Sequence, residues 1–420
     1  MSRNLIVGLD VGTSKICTVV AEVNLNDQLE IVGIGTSISR GVRKGVLINI
    51  EAALDSISNS IEAAELISGC DITSLSVSMS GSSVEGTNSR GVVAINSRTR
   101  EINEEDVERV IEAAKAIVIP MDREILHVIP QEFIVDGIPH IKNPIDMMGI
   151  RLEGEVHIIT GSSSSSQNLV RCVNRAGFAV DEVVLGSLAS SYATLSKEER
   201  EMGVLFIDMG KGTTDIILYI DGSPYYTGVI PIGVNRVTLD IAQVWKVPED
   251  VAENIKITAG IAHPSILESQ METVIIPNLG TRPPQEKSRK ELSVIINSRL
   301  REIFEIMRAE ILKRGLYNKI NGGIVLTGGG ALFPGISNLI EEVFNYPARI
   351  GLPMSINGVG EEHIDPKFSS ALGLVLYKHE QQKFNKLKKV SSKVKRKNKI
   401  SSKLKGWFLK NGFDQSWRKR

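Results

Sequence analysis

The hydrophobic pattern at the start of the chain has period two. Residues 5–16 read "LIVGLDVGTSKI": an apolar run, an Asp, a Gly-rich polar break and a second apolar run. This predicts a strand, a tight turn and a second strand through residue 23, and "LEIVGIGTS" predicts a third. From Ile50 to Ile67 the apolar positions recur at helical spacing, with Gly69 as the stop. "SLSVSMSG" then alternates again. Residues 83–163 have a different texture. Strands are predicted around Val92–Ile95 and in "EILHVIPQEFIVDG" and "GEVHIITG", with a helix over 104–117 that Asn103 caps. The stretch reads as an inserted small α/β subdomain. "GSSSSSQN" at 161–168 is expected to be a loop that caps a helix beginning near Gln167, rather than a phosphorylation or linker segment.

The opening pattern returns about 200 residues later, as "LFIDMGKGTTDI" at 205–216. Helices are predicted over 234–244, 249–259 and from about 290 to 314. "NLGTRPPQEKSRK" at 278–290 is expected to be a surface loop. "GGIVLTGGGALFPGI" predicts a strand, a glycine turn and a helix start, and "SSALGLVLYKHE" a last apolar helix. A chain of 420 residues with two such patterns calls for at least two domains.

Composition adds three points. With 42% hydrophobic and 23% charged residues, the chain has the make-up of a soluble globular protein. Cys17, Cys70 and Cys172 have neither metal spacing nor an even count, which suits a reducing compartment. No signal peptide and no spanning run of about 18 apolar residues is expected. The net charge of zero hides an asymmetry. From Lys383 onward there are fifteen basic residues and one acid, Asp414, which leaves the rest at −14. A basic tail on an acidic body implies an anionic partner for the tail.

The two Gly-rich turns are candidate phosphate cradles. Glycines let backbone N–H groups approach an anion closely, and Thr and Ser hydroxyls add donors. The first offers Gly12, Thr13, Ser14 and Lys15. The second offers Gly210, Lys211, Gly212, Thr213, Thr214 and Asp215, with Gly233 downstream. Asp10 and Asp208, at strand ends, suit Mg²⁺, with water between. One such turn is a weak signal; two facing each other would clamp a polyphosphate. Gly328, Gly329 and Gly330 could let a backbone approach a base or ribose. Glu253 and Lys256 share a helical face and could reach ribose hydroxyls and a purine edge, although taken alone they read as a surface ion pair. Lys211 is expected to project to solvent rather than toward phosphate.

The order of two phosphate hairpins and a glycine-rich turn resembles the actin-like ATPase superfamily. The strings "RGVRKGVLINIEAA", "LHVIPQEFIVDG", "HIKNP", "LASSYATL", "GGIVLTGGGA" and "ARIGLP" narrow the resemblance to the FtsA family of bacterial cell-division proteins, over essentially residues 4–420. It implies an α/β, actin-like (ribonuclease-H-like) duplicated two-lobed fold with an inserted 1C subdomain and a C-terminal amphipathic helix. The implied parts are lobe 1A (1–82 and 164–198), subdomain 1C (83–163), lobe 2A (199–227 and 300–382), subdomain 2B (228–299), a basic linker (383–398) and a membrane-targeting segment (399–420).

By the same resemblance the ligands are ATP and Mg²⁺. The partners are a second copy in filaments, the C-terminal peptide of FtsZ, and later division proteins through 1C, with no nucleic acid. The place is the cytoplasmic face of the inner membrane at the division site. Arg299 and Glu302 match family positions implicated in FtsZ docking, although an exposed i,i+3 ion pair is the alternative. The family's relatives place a Glu or Gln near a position that is Gly186 here, so weak or absent ATP hydrolysis and no catalytic residue are expected. A small-molecule kinase or a pilus-assembly actin homologue are the alternatives.

In "KISSKLKGWFLKNGF" (399–413) Ile400, Leu404, Trp407 and Phe408 form one apolar stripe on a helix, flanked by Lys403, Lys405 and Lys410. Trp and Lys around such a stripe suit an anionic bilayer surface. A nucleic-acid-binding tail and a solvated disordered one are the competing readings.

Overall fold

The computed structural model describes residues 4–267, 269, 271–277, 283–354, 356–383 and 386. Residues 1–376 make one compact unit and residues from Tyr377 a second. In the first lobe β1 (Leu5–Val11), β2 (Lys15–Val23) and β3 (Leu29–Ile38) form an antiparallel meander. A short ribbon follows, β4 (Val42–Arg43) and β5 (Val46–Leu47), then helix α1 (Ile50–Ser68) and strand β6 (Ser74–Met79). Asn49 caps α1, and Gly69 ends it in the left-handed region at φ 62°.

Next comes an inserted sheet of β7 (Glu85–Ala94), β8 (Arg123–Val135), β9 (Ile138–Ile141) and β10 (Arg151–Ser162), in the order β7-β10-β8-β9. Helix α2 (Glu104–Ala114) packs on it through buried Val110 and Ala114. Asn103 and Asp106 form a capping box at its start. The helix stops three residues short of the expected end, because the β-branched run Ile117–Ile119 and Pro120 disfavour another turn. Helix α3 (Ser163–Arg175) and strand β11 (Ala179–Leu185) complete the first lobe, whose sheet order is β11-β6-β1-β2-β3. The serine run is not a loop. β10 runs through Ser162, whose hydroxyl accepts from the Ser165 N–H, and the helix begins at Ser163.

Helices α4 (Gly186–Thr194) and α5 (Lys197–Met202) lead into the second lobe. There β12 (Leu205–Met209), β13 (Thr214–Ile220) and β14 (Ser223–Ile230) repeat the meander. Then come α6 (Asn235–Trp245), α7 (Glu249–Ala259), the ribbon of β15 (Thr273–Ile276) with β16 (Gln285–Ser288), and the long α8 (Arg289–Lys313). β16 occupies part of the expected surface loop. Its polar residues pair with β15, which supplies the ribbon's apolar face through buried Val274 and Ile276. β17 (Ile324–Thr327), α9 (Ile336–Phe344) and β18 (Ala348–Ile350) close a sheet of order β14-β13-β12-β17-β18. Residues 369–376 are helical.

The two five-stranded sheets have one topology. Each is an antiparallel meander whose first strand pairs in parallel with a later strand, β1 with β6 and β12 with β17. That strand in turn pairs in parallel with the last, β6 with β11 and β17 with β18. The duplicated actin-like fold expected from sequence is therefore present, with the inserted sheet between β6 and α3. Where lobe one takes this insertion, lobe two has the glycine turn after β17. Apolar residues fill both lobes, and the largest cluster joins β12, β13, α6, α8 and α9. The expected boundaries at 227/228 and 299/300 fall inside β14 and α8, and those at 163/164 and 198/199 inside α3 and α5.

Candidate functional site

The two Gly-rich turns adopt the same geometry. In the first, the Gly12 N–H donates to the Lys15 carbonyl at 3.1 Å; in the second, the Gly210 N–H donates to the Thr213 carbonyl at 2.9 Å. Across the first ladder Asp10 faces Cys17, and across the second Asp208 faces Asp215. Between the hairpins lies a cleft of about 460 Å³. Asp10, Gly12, Thr13, Ser14 and Lys15 line it from one side, and Asp208, Gly210, Lys211, Gly212, Thr213 and Asp215 from the other. Glu253, Lys256, Gly328 and Gly329 line it further along, with Leu332 and Phe333. The hairpins touch. A Cβ on Gly212 would lie 2.7 Å from the Lys44 Cα and 2.8 Å from the Thr13 hydroxyl, so only Gly fits there.

Three residues expected at the site lie outside its lining. Thr214 is buried and its hydroxyl donates to the Ile232 carbonyl. Gly233 packs against the Gly210 and Lys211 carbonyls and supports the hairpin from behind. Gly330 packs against the Met209 side chain. Gly328 adopts φ 83°, and a Cβ there would meet an Asp208 carboxylate oxygen at 2.5 Å. Of the three consecutive glycines, Gly329 alone faces open space. Lys211 is half-buried in the cleft lining instead of projecting to bulk solvent.

Glu253 and Lys256 are not an exposed pair. The Lys256 ammonium, 5% exposed, lies 2.6 Å from the Glu253 carboxylate and donates to the Thr238 hydroxyl, which itself donates to Glu253. Burial pushes the Lys256 pKa down, against the pull of Glu253. Burial pushes Glu253 up, but hydrogen bonds from Lys256 and Thr238 outweigh it and leave its pKa lowered.

The acids at the phosphate end are unusual. Burial raises Asp208 to about 6, opposed by a 2.5 Å hydrogen bond from Ser190 and reinforced by the charge of Asp10. Burial and the neighbouring Asp208 raise Asp215 to about 8. One Asp215 oxygen accepts from Thr213 at 3.1 Å, while the other is buried with no hydrogen-bond partner among the described residues. Asp10 accepts from the Ser78 hydroxyl at 2.7 Å. The Lys15 ammonium is likewise buried without a hydrogen-bond partner among the described residues. Unsatisfied buried carboxylate and ammonium groups are costly alone. A polyphosphate with a hard divalent cation would satisfy both. Among the described residues no three His, Cys, Asp or Glu cluster as a metal cage. Mg²⁺ needs only one or two carboxylates beside phosphate oxygens and water, and Asp10 and Asp208 both line the cleft.

Ser190 on α4, together with Ser78, Ser80, Lys367 and Ser370, completes the cleft or its support. They come from three separate segments, and none carried a sequence signal beyond being polar. Gly186 opens α4 against Ser80, with no acid or amide at that position. Arg299 on α8 grips Asp240 on α6 through two nitrogens, at 2.5 and 3.0 Å, and also pairs with Glu302. The pair is thus tied into a second helix and is not a lone surface contact. Ile400, Leu404, Trp407 and Phe408 lie outside the described residues, as does nearly all of the expected linker. All three cysteines are buried, and none forms a disulfide among the described residues. Among the described residues no helix is long and apolar enough to cross a membrane.

The chain is 98% identical over 413 residues to the cell division protein FtsA of Borreliella burgdorferi, covering 98% of this chain and 100% of that one. It belongs to the FtsA family. Cell division protein FtsA of Pseudomonas aeruginosa is 42% identical over 376 residues, covering 90% of this chain and 89% of that protein. A family model for cell division protein FtsA matches residues 205–373, and one for the SHS2 domain inserted in FtsA matches residues 81–160. The latter is the inserted sheet with α2, close to the 83–163 expected from sequence. Among solved structures, a PilM–PilN type IV pilus biogenesis complex is similar with a TM-score of 0.61 at 16% identity, covering 89% of this chain and 98% of that one. MreB5 of Spiroplasma citri bound to ADP is similar with a TM-score of 0.56 at 15% identity, covering 91% and 98%. At these identities the likeness is one of fold, and it is the actin-like fold. Membership of the FtsA family argues against the kinase and pilus-assembly alternatives.

Proposed function

We propose that this cell-division protein binds ATP with Mg²⁺ between its lobes and uses the bound state to assemble on a membrane, with little turnover. The observation that carries the reading is the pair of equivalent hairpins closing on one cleft with Lys15 and Asp215 unsatisfied inside it. The backbone N–H groups and hydroxyls of both turns hold phosphate oxygens, and Lys15 supplies the positive charge. Asp10 and Asp208 would hold Mg²⁺, which when bound would offset the remaining phosphate charge. The Glu253–Lys256–Thr238 group lies toward the ribose and base. Gly186 leaves no group there to orient an attacking water, so turnover falls well below the roughly 1–100 per second of ordinary kinases.

In this reading the protein forms filaments with further copies and anchors FtsZ through the Arg299 and Glu302 surface of α8. It recruits later division proteins through the inserted domain. The basic tail, with Ile400, Leu404, Trp407 and Phe408, attaches it to the cytoplasmic face of the inner membrane at the division site. An MreB5 relative in fold carries ADP, which supports nucleotide in such a cleft. The test of the nucleotide reading is calorimetric titration of the full chain with ATP, with and without Mg²⁺. One ATP bound per chain in a Mg²⁺-dependent way supports it, and no binding at millimolar ATP overturns it. Sedimentation with anionic vesicles tests the tail separately. Trp407→Glu should release the protein from the vesicles while ATP binding persists.

A further inference from the structure

The Lys15 ammonium is buried, has no hydrogen-bond partner among the described residues and lies at the hairpin end of the cleft. Its ammonium stands 4.3 Å from the centroid of the Phe368 ring. We infer that Phe368 is a positioning residue for phosphate binding, holding the Lys15 ammonium by its ring face. This rests on the reading of the cleft as a nucleotide site. An aromatic face attracts a cation within about 6 Å of its centre without taking up its N–H donors. A carboxylate in the same place would neutralise the ammonium and would have to be displaced when phosphate arrives. The ring does not neutralise the ammonium and leaves N–H groups on its far side for the ligand.

The ring is held by a firmly anchored segment. The Phe368 N–H donates to the Asp365 carbonyl at 2.9 Å. The neighbouring Ser369 hydroxyl meets Thr327 at 2.7 Å, at the end of β17. The Ser370 hydroxyl meets Ser190 at 2.7 Å, and Ser190 donates to Asp208. His363 packs edge-on against the ring at 4.9 Å. One short segment thus touches the lysine of the first hairpin and supports the aspartate of the second. Phe368 itself is 6% exposed and also packs with Ile6, Cys17 and Ala371, so a purely structural role is the rival account.

The test separates the two. Phe368→Leu keeps an apolar side chain but removes the ring face, and Phe368→Tyr restores it. Affinities for ATP, ADP and adenosine are measured on the full chain, alone and combined with Lys15→Ala. The expected result is a loss of about tenfold in ATP and ADP affinity for Phe368→Leu. Adenosine affinity should be unchanged, Phe368→Tyr should match wild type, and Phe368→Leu should have no further effect in the Lys15→Ala background. An equal loss for adenosine, or a loss that persists without Lys15, overturns the inference in favour of packing. Wild-type ATP affinity in Phe368→Leu overturns it while leaving the nucleotide reading intact. Absence of ATP binding by the wild-type chain overturns both.

Discussion

The two hairpins share a turn, a hydrogen bond and an aspartate, yet they differ at the positions that face each other across the turn. Position by position, Lys15 of the first stands where Thr213 stands in the second, Ser14 where Gly212 stands, and Cys17 where Asp215 stands. The first hairpin therefore brings a cation and leaves a neutral thiol at its inner position. Burial pushes that thiol up to about 11, so it stays protonated. The second brings hydroxyls, a pair of acids and, at the position of Thr13, a lysine of its own, Lys211. Duplication supplied one backbone device, and divergence left only the second copy with a facing pair of acids. In the proposed function that pair serves the metal and Lys15 the phosphates.

Substitutions at matched positions sharpen this contrast. The largest effect is expected from Lys15→Ala. Losing a charge-assisted hydrogen bond should weaken ATP by about 1.5–3 kcal/mol, against about 1 kcal/mol for Thr213→Ala. Equal losses in a calorimetric titration would make the hairpins functionally symmetric. Gly212→Val comes next. Its side chain would collide with Lys44 and Thr13, at a cost of roughly 1–3 kcal/mol in the closed cleft. Ser14→Ala at the matched position should change nucleotide affinity by far less. A Gly212→Val protein that binds ATP like wild type would show that the lobes need not close.

A smaller effect separates the inserted sheet from the lobes. His157 on β10 meets the Thr227 hydroxyl of β14 at 2.9 Å and Asn88 at 2.6 Å, and burial lowers its pKa to about 4. The unfolded chain takes up this proton at about 6.5. The stability contributed by neutral His157 is therefore complete above pH 6.5 and is lost as pH falls from there to about 4. The slope is at most about 1.4 kcal/mol per pH unit. His127, likewise buried and lowered to about 4, adds in the same window. Thermal melts of His157→Gln should fall less steeply than wild type between pH 6.5 and 4. Parallel curves would place the acid sensitivity elsewhere.

The hairpins were legible in the sequence because each is one contiguous string, in which Asp, Gly and Thr have separate jobs in a tight turn. The same contiguity misled at Thr214, because a string does not say which of its residues face the cleft. Ser190, Ser370 and Phe368 were not legible. They reach the site from two segments distant in sequence from either hairpin, and a serine or phenylalanine in an apolar stretch looks like core. The serine run was misread because serine is a weak helix former, and the cap at Ser162 is visible only once β10 is known to run up to it. The insertion was legible from its change of texture. Its place, matching the glycine turn of the other lobe, needed the two sheets side by side.

The central claim is that the second hairpin's buried acids are held in place for a metal-bound polyphosphate. Asp208→Asn tests it most directly, with titration calorimetry of ATP in the presence and absence of Mg²⁺. Burial raises the Asp208 pKa to about 6, so its carboxyl adds no penalty below about pH 4, and the cost of ionising it appears as pH rises through 6. The ligand-free variant should therefore melt no lower than wild type at pH 8, which separates folding from binding. The account predicts that wild type binds ATP more tightly with Mg²⁺ and that Asp208→Asn loses most of that gain. A variant that keeps the full Mg²⁺ dependence would contradict it.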